Sequence, residues 1–165
     1  MKFEYCPKCG MQTVAQNPTM QQCSSCKQQY WFNPKPSASI VFIRDGKLLY
    51  AKRGIEPNIG KYDFPGGFID EKEDMYDACV REILEETGLK IDKSKLLLIN
   101  GYTVKYQTDI YALDLIFIIT EWSGEPKAKD DVAALEWKDI DFIQNLDFHP
   151  DYPGLGNKIK DYINK

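Results

Sequence analysis

Three glutamates at positions 82, 85 and 86 constrain this chain more than any other feature of its sequence. Residues three and four apart lie on the same side of a helix, so Glu82, Glu85 and Glu86 share one face of whatever helix carries them. A helix is expected from Met75 to Thr87, with Gly88 as its C-terminal stop. Three like charges on one face repel, and a helix with a purely structural role gains nothing from them. Carboxylate oxygens at this spacing suit hard divalent cations, which remove the repulsion. A solvated acidic face is the plainer alternative for the trio taken alone. The neighbouring stripe of Tyr76, Val80, Ile83 and Thr87 is expected to pack on a sheet, with Ala78 leaving the approach to the carboxylates open. Cys79, beside that stripe, reads as a core residue. Glu73 is placed to pair with Arg81 and hold the preceding loop on the helix. Gly66-Gly67 permits a backbone conformation closed to other residues and leaves a carbonyl free to face a metal.

The rest of the chain divides in two. Residues 1–34 are polar, hold four of the five cysteines and lack a helical period. Cys6-Pro7-Lys8-Cys9 and Cys23-Ser24-Ser25-Cys26 form two C-x-x-C knuckles, each able to point two thiolates at one tetrahedral ion. Four thiolates close the coordination shell, so structural Zn2+ bound by Cys6, Cys9, Cys23 and Cys26 is the expectation, with the metal supplying folding energy that so short a segment lacks. A redox pair is the alternative reading. The segment looks like a zinc ribbon. Such ribbons often bind nucleic acid, but few basic residues lie between these knuckles, so a brace is the expected role.

From Ser37 onward the pattern turns strand-like. Ser39–Ile43, Leu48–Ala51, Leu96–Val104, Ile110–Glu121 and Ala133–Trp137 read as strands, Asp45-Gly46 as a hairpin turn, and Leu155–Ile163 as a terminal helix. Asn33-Pro34-Lys35-Pro36 is expected to be a stiff, extended connector. The expected organisation is a zinc ribbon over 1–34 followed by an α/β (α+β) domain over 35–165. A chain of 165 residues with a net charge of −4 does not coat nucleic acid by charge alone, although metal ions can bridge an acidic enzyme to phosphates. With no apolar run long enough for a membrane helix and no signal-like start, a soluble, cytoplasmic protein is expected.

The segment Gly67 to Leu89 resembles the Nudix box, G-x5-E-x7-R-E-U-x-E-E-x-G-U with U a bulky aliphatic. Gly67, Glu73, Arg81, Glu82, Ile83, Glu85, Glu86, Gly88 and Leu89 match every fixed position. Asp63-Phe64-Pro65-Gly66-Gly67 resembles the usual approach to the box, and Ala134-Leu135-Glu136-Trp137 a late family strand. The resemblance spans roughly residues 37–145, and with the ribbon in front the layout is similar to the NADH pyrophosphatase branch. It implies a Nudix α/β/α sandwich with a mixed sheet. It further implies a metal-dependent pyrophosphohydrolase that cleaves the phosphoanhydride of a nucleoside diphosphate linked to another group: ADP-ribose, an NAD(H)-like dinucleotide or a nucleotide sugar.

By position, the resemblance implies that Glu82, Glu85 and Glu86, with the Gly67 carbonyl, hold Mg2+ or Mn2+, and that a later acid joins them. Asp131 of the Asp130-Asp131 pair is favoured over Glu136. Glu85 or Glu82 would take the proton of the attacking water, and Arg81 would orient Glu73 and the ligands. Glu73, Gly66 and Gly88 support the box. Arg53 or Lys52 is a candidate for a phosphate contact, and Tyr62, Phe64, Tyr102, Tyr106 and Tyr111 for base stacking, each with solvation or packing as the plainer reading. His149, the single histidine, reads as a surface residue.

Substrate identity is not carried over. The Ser-Gln-Pro-Trp-Pro-Phe-Pro signature of NADH pyrophosphatases is absent, Leu98–Tyr106 reading LINGYTVKY instead. The proline downstream of the box in many ADP-ribose pyrophosphatases is missing too. Tyr106 sits near the position of a tyrosine associated with diadenosine polyphosphate hydrolases. The alternative to an enzyme is a ligand-sensing Nudix module whose ribbon binds nucleic acid or protein, but retention of all three glutamates and Arg81 argues for catalysis. Family members are often homodimers.

Overall fold

The computed structural model describes residues 3–146 and 151–164. His149 and its neighbours lie outside the described residues. Near the N-terminus, β1 (Thr13–Asn17), β2 (Met20–Cys23) and β3 (Gln29–Trp31) form a small antiparallel sheet. Its apolar packing is slight. Phe3 meets Tyr30 edge-on at 5.2 Å and leans on Phe32 at 5.8 Å, while Tyr5, Met11, Val14 and Trp31 remain exposed.

The larger sheet is centred on β4 (Lys35–Arg44) and β5 (Lys47–Arg53). It continues through β8 (Leu97–Gln107), β9 (Ile110–Ile119) and β10 (Val132–Asp139) in the order β10-β5-β4-β9-β8. Two short strands, β6 (Tyr62–Asp63) and β7 (Gly66–Phe68), pair with β5 and β4. β4 and β9 run parallel and the other pairs antiparallel, so the sheet is mixed. Helix α1 (Met75–Thr87) covers one face and α2 (Leu155–Ile163) the other. Alternation along β4 serves both layers. Ala38, Ile40 and Phe42 pack with Cys79 and Ile83 of α1, whereas Val41 and Ile43 join the layer that holds Leu155 and Ile159 of α2. A central strand buried on both faces must be apolar at successive positions, as β4 is from Ala38 to Ile43, Ser39 excepted. This is the expected α/β/α layering.

Local chemistry sets the ends of these elements. The Asp74 side chain accepts from the Tyr76 N–H at 2.9 Å, and Gly88 (φ 70°) returns its N–H to the Leu84 carbonyl at 3.1 Å. Both helices run over the expected residues. Asp45 (φ 51°) and Gly46 (φ 73°) make the tight hairpin that the β4–β5 twist favours.

Three expectations shift. The second half of the Asn33–Pro36 connector is absorbed into β4, where Lys35 pairs with Ala112 of β9 and Pro36, with no N–H to give, lends its carbonyl to the Ile69 N–H at 3.1 Å. The strand expected to run to Glu121 ends at Ile119. The inner face of α1 consists of Ala78, Cys79, Ile83, Glu86 and Thr87, with Tyr76 and Val80 half-buried. Ala78 therefore closes against the fold instead of bordering an open approach, and Glu86 points inward because the β7 segment lies over the C-terminal half of the helix.

Among the described residues no helix is long and apolar enough to cross a membrane.

The β7 segment can lie there only because residue 66 is glycine. Its φ is 147°, and a Cβ would collide with the Ala38 carbonyl of β4. Replacing Gly66 by Ala is expected to cost about 2 kcal/mol or more in unfolding free energy, measured by urea denaturation. A change within about 0.5 kcal/mol would show that β7 does not depend on this approach.

Candidate active site

The loop before α1 and the helix itself are joined by one guanidinium. Arg81 donates from Nε and Nη2 to the two Glu73 oxygens at 2.8 and 2.7 Å, and from Nη2 to the Phe68 carbonyl at 3.1 Å. Its Nη1 donates to Glu82 at 2.8 Å and to Glu85 at 3.4 Å. The paired fork is the strong form of this contact. The Arg81 hydrogen bonds, with help from the Asp70 N–H, bring the Glu73 carboxyl down to about 2, and Glu73 holds Arg81 firmly protonated. Glu73 and Arg81 thus meet as the sequence suggested, and they fasten the 66–70 segment over the helix.

Beneath that segment the carboxylates are crowded. The Gly66 N–H donates to Glu86 Oε2 at 2.8 Å. A Cβ on Gly67 would collide with the Glu82 carboxylate, so only glycine leaves room for that side chain. Glu86 is 7% exposed, and burial pushes its pKa up to about 9, with Asp131 and Glu82 adding like charge and the Gly66 N–H opposing. Burial is also the main cause of the upward shift at Glu82, which Arg81 offsets.

Asp131 arrives from the far end of α1. The Lys127 and Lys129 N–H groups cap the Thr87 and Glu86 carbonyls at 2.9 Å each, Asp130 turns the chain at φ 52°, and the Asp131 carbonyl accepts from the Gly54 N–H at 2.6 Å. Gly67, Glu82, Glu86, Asp130 and Asp131 line one cleft of about 260 Å³, where Arg53 supplies positive charge.

Several other candidates fall outside this cleft. Glu85 is half-exposed, drawn to Arg81 and absent from the lining. Among the described residues, the group whose ligand atoms all lie within 4.8 Å of one another is the cysteine cluster, so the box glutamates are not gathered that tightly. Glu136 is taken up by Tyr62 at 3.0 Å and Lys138 at 2.6 Å on β10. Lys52 lies 5.9 Å from the Tyr62 ring. Of the aromatic candidates, Tyr106 and Phe64 reach the cleft, Phe64 stacked on Tyr50 at 5.3 Å. Tyr102 is buried against Tyr152, Tyr62 packs on Phe142, and Tyr111 is exposed. Cys79 is buried, its thiol pushed up to about 12 by desolvation, in keeping with a core role.

The sequence reading missed the inner wall of the cleft. Asp114 of β9 is 3% exposed and accepts hydrogen bonds from Ser37, Ser39 and Tyr152. A charged residue inside the apolar run Leu113–Thr120 was the available signal. Its partners, 75 and 77 residues upstream and 38 downstream, carry none.

At the N-terminal sheet the Sγ atoms of Cys6 and Cys26 lie 3.7 Å apart and those of Cys9 and Cys23 3.5 Å apart. A tetrahedral ion with bonds of about 2.3 Å to sulfur requires sulfur–sulfur edges of about 3.8 Å. All four thiols are free of disulfides, and the Tyr30 hydroxyl, 3.0 Å from Cys6 Sγ, is the main reason that the Cys6 pKa falls to about 6. The donor set therefore fits a zinc ion.

Residues 33–156 match the model of the NUDIX domain. The chain belongs to the Nudix family. It is 34% identical over 137 residues to an ADP-ribose pyrophosphatase of Methanocaldococcus jannaschii, a match covering 83% of this chain and 78% of that protein. It is also 35% identical over 91 residues to the NAD-capped RNA hydrolase NudC of Haemophilus influenzae, covering 53% of this chain and only 34% of that protein. A MutT Nudix hydrolase of Burkholderia pseudomallei superposes with a TM-score of 0.61 at 27% identity, over 66% of this chain and 85% of that one. The protein is thus a Nudix hydrolase.

The Nudix cleft fits a divalent cation by the chemistry of its donors. Glu82, Glu86 and Asp131 place more carboxylate charge in one half-buried space than Arg53 and Arg81 offset, and burial, with the like charge of Asp131 and Glu82 added to it, forces Glu86 toward its protonated form. A carboxyl with a raised pKa binds its proton more tightly folded than unfolded. Its contribution to stability is present below the ordinary value of 4.5 and is lost as pH rises toward about 9. In EDTA, Glu86→Gln, which mimics the protonated form, is therefore expected to gain in melting temperature relative to the parent protein as pH is raised from 5 toward 9. A difference that stays constant across that range would contradict the assignment.

Proposed function

We propose that this chain is a magnesium- or manganese-dependent pyrophosphohydrolase acting on a nucleoside diphosphate linked to a second group, with ADP-ribose and NAD-like dinucleotides ahead of nucleotide sugars. The observation that carries this reading is the crowding of Glu82, Glu86 and Asp131 on one cleft beneath the Gly66–Gly67 backbone. A diphosphate cannot enter so acidic a space unless cations enter with it. The similarity to an ADP-ribose pyrophosphatase over most of both chains supports the substrate class. The NudC match, confined to about a third of that protein, supports the dinucleotide option more weakly.

In this reading Glu82, Glu85, Glu86 and Asp131, with the Gly67 carbonyl, hold the divalent ion. When bound, such an ion neutralises the diphosphate and acidifies an attacking water. Glu82 is the better placed of the two candidate bases. It lines the cleft and is partly desolvated, which raises its affinity for a proton, whereas Glu85 projects to solvent. Arg81 orients Glu82 and Glu85 and is itself fixed by Glu73. Arg53, at the end of β5, is positioned to meet a phosphate oxygen. Residues 1–34 form a zinc ribbon on Cys6, Cys9, Cys23 and Cys26, residues 35–165 the hydrolase domain, and the protein works in the cytoplasm.

With magnesium, a panel of ADP-ribose, NADH and nucleotide sugars is expected to release a nucleoside monophosphate from at least one compound, and EDTA to abolish the release. Glu86→Gln is expected to lower kcat on the order of 10²–10³-fold while remaining folded. Full activity in that variant would refute the metal assignment. Elemental analysis of the purified chain is expected to find a single zinc ion that Cys23→Ser loses, and a zinc-free parent protein would refute the ribbon.

A further inference from the structure

The inner wall of the cleft carries a charge that the hydrolytic groups do not use. Asp114 sits in mid-strand on β9, directly across the parallel register from Ser37 of β4. Ser37 Oγ donates to Oδ1 at 2.9 Å, and Tyr152 OH to Oδ2 at 2.8 Å. The Ser39 hydroxyl is shared between both oxygens at 3.1 and 3.0 Å. The carboxylate and the two serines are each less than a tenth exposed, as is Tyr152, yet all four residues line the cleft. No Lys or Arg pairs with Asp114 among the described ion pairs. The carboxyl is hydrogen-bonded but has no cationic partner among the described residues, and burial raises its pKa while the Tyr152, Ser37 and Ser39 hydroxyls oppose that shift.

Such a residue costs stability. A strand otherwise rich in Leu, Ile and Phe would bury an apolar side chain here without loss, whereas a desolvated carboxylate lacking a counter-charge is held at a cost in stability. It persists where it serves a site. Each surrounding hydroxyl has one proton, and each spends it on Asp114. What the cluster turns toward the cleft is lone pairs alone. An anion is repelled there, so the diphosphate belongs at the other side of the cleft, near Glu82, Glu86 and Asp131, where cations can accompany it. A group that brings N–H or O–H donors is favoured. The walls beside the cluster, Phe64, Phe68, Val104, Tyr106 and Ala112, are apolar or aromatic and suit the flat faces of a ring.

We propose that Asp114, held by Ser37, Ser39 and Tyr152, is the specificity determinant that reads hydrogen-bond donors, hydroxyl or amino, on the uncharged part of the substrate. This rests on the cleft being the phosphoanhydride site. The donor comes either from the hydroxyls of the second sugar or from the amino group of the base.

Three substrates separate those sources: ADP-ribose, inosine diphosphoribose, which lacks the amino group, and the β-methyl ester of ADP, which lacks the second sugar. The parent protein and Asp114→Asn are compared by kcat/KM for each, and the ratios between substrates do not depend on the fraction of protein folded. ADP-ribose is expected to lose roughly tenfold or more in the variant, mostly through KM, while the analogue missing the donor that Asp114 reads loses less than about threefold. The analogue that escapes the loss names the donor. Tyr152→Phe, which keeps the charge and removes one of its clamps, is expected to fall between. Titration calorimetry with the non-hydrolysable α,β-methylene analogue of ADP-ribose in magnesium gives the same comparison without turnover, so an inactive parent protein that still binds would fail the hydrolase reading and leave this one testable. Equal losses on all three compounds, no loss on any, or no binding of the methylene analogue by the parent protein in magnesium would overturn the proposal. A melting temperature for Asp114→Asn equal to or above that of the parent is expected, and a marked fall with unchanged ratios would make Asp114 a structural residue only.

Discussion

The close approach of the Gly66–Gly67 backbone to both β4 and α1 is the constraint on which the rest of the site depends. A short strand laid between a sheet and a helix has no room for side chains on the sides that touch them, and the two glycines meet that condition for different reasons. Gly66 adopts a φ of 147° against the Ala38 carbonyl, while Gly67 leaves space for the Glu82 carboxylate. The helix can then turn its acids toward backbone N–H groups instead of toward water, as Glu86 does at Gly66. Arg81 completes the arrangement from the other side, fixing Glu73 and the Phe68 carbonyl and steadying Glu82. Remove the close approach and the glutamates become the solvated acidic face that the bare sequence pattern also allowed.

The resulting electrostatics are strained by design of the fold and not by any single residue. Each acid has a local partner: Gly66 N–H for Glu86, Arg81 for Glu82 and Glu85. The partners fall short of the total charge, and burial turns the shortfall into a displaced proton equilibrium at Glu86. A divalent cation relieves exactly this deficit without moving the backbone, which is why a rigid, glycine-framed cleft and a hard cation go together.

Much of this was legible because it is local. The span of α1 follows from Asp74 and Gly88 at its ends, the acidic face from the spacing of Glu82, Glu85 and Glu86, and the cysteine cluster from two knuckles that each fix a pair of sulfurs. What escaped depends on which distant strands become neighbours. Nothing near Ser37 in the sequence announces that it faces Asp114, because the parallel β4–β9 register is set by the whole sheet. The tilt of α1 was hidden for the same reason. Helical periodicity gives relative angles around an axis, but the direction of the inward face is decided by what lies on top, here β7, so Glu86 was buried and Val80 left half-open against expectation.

The cleft therefore has two unlike ends, and their chemistry orders any substrate between them. At the helix end, acids in excess demand cations and through them attract phosphate. At the sheet end, a carboxylate whose neighbours have all donated to it favours further hydrogen-bond donors and repels phosphate. A molecule with a charged centre and a donor-rich, uncharged end satisfies both, and it can do so in only one direction. Orientation is then imposed by electrostatic sorting before any close fit is made, with the sheet register that pairs Ser37 with Asp114 as its source.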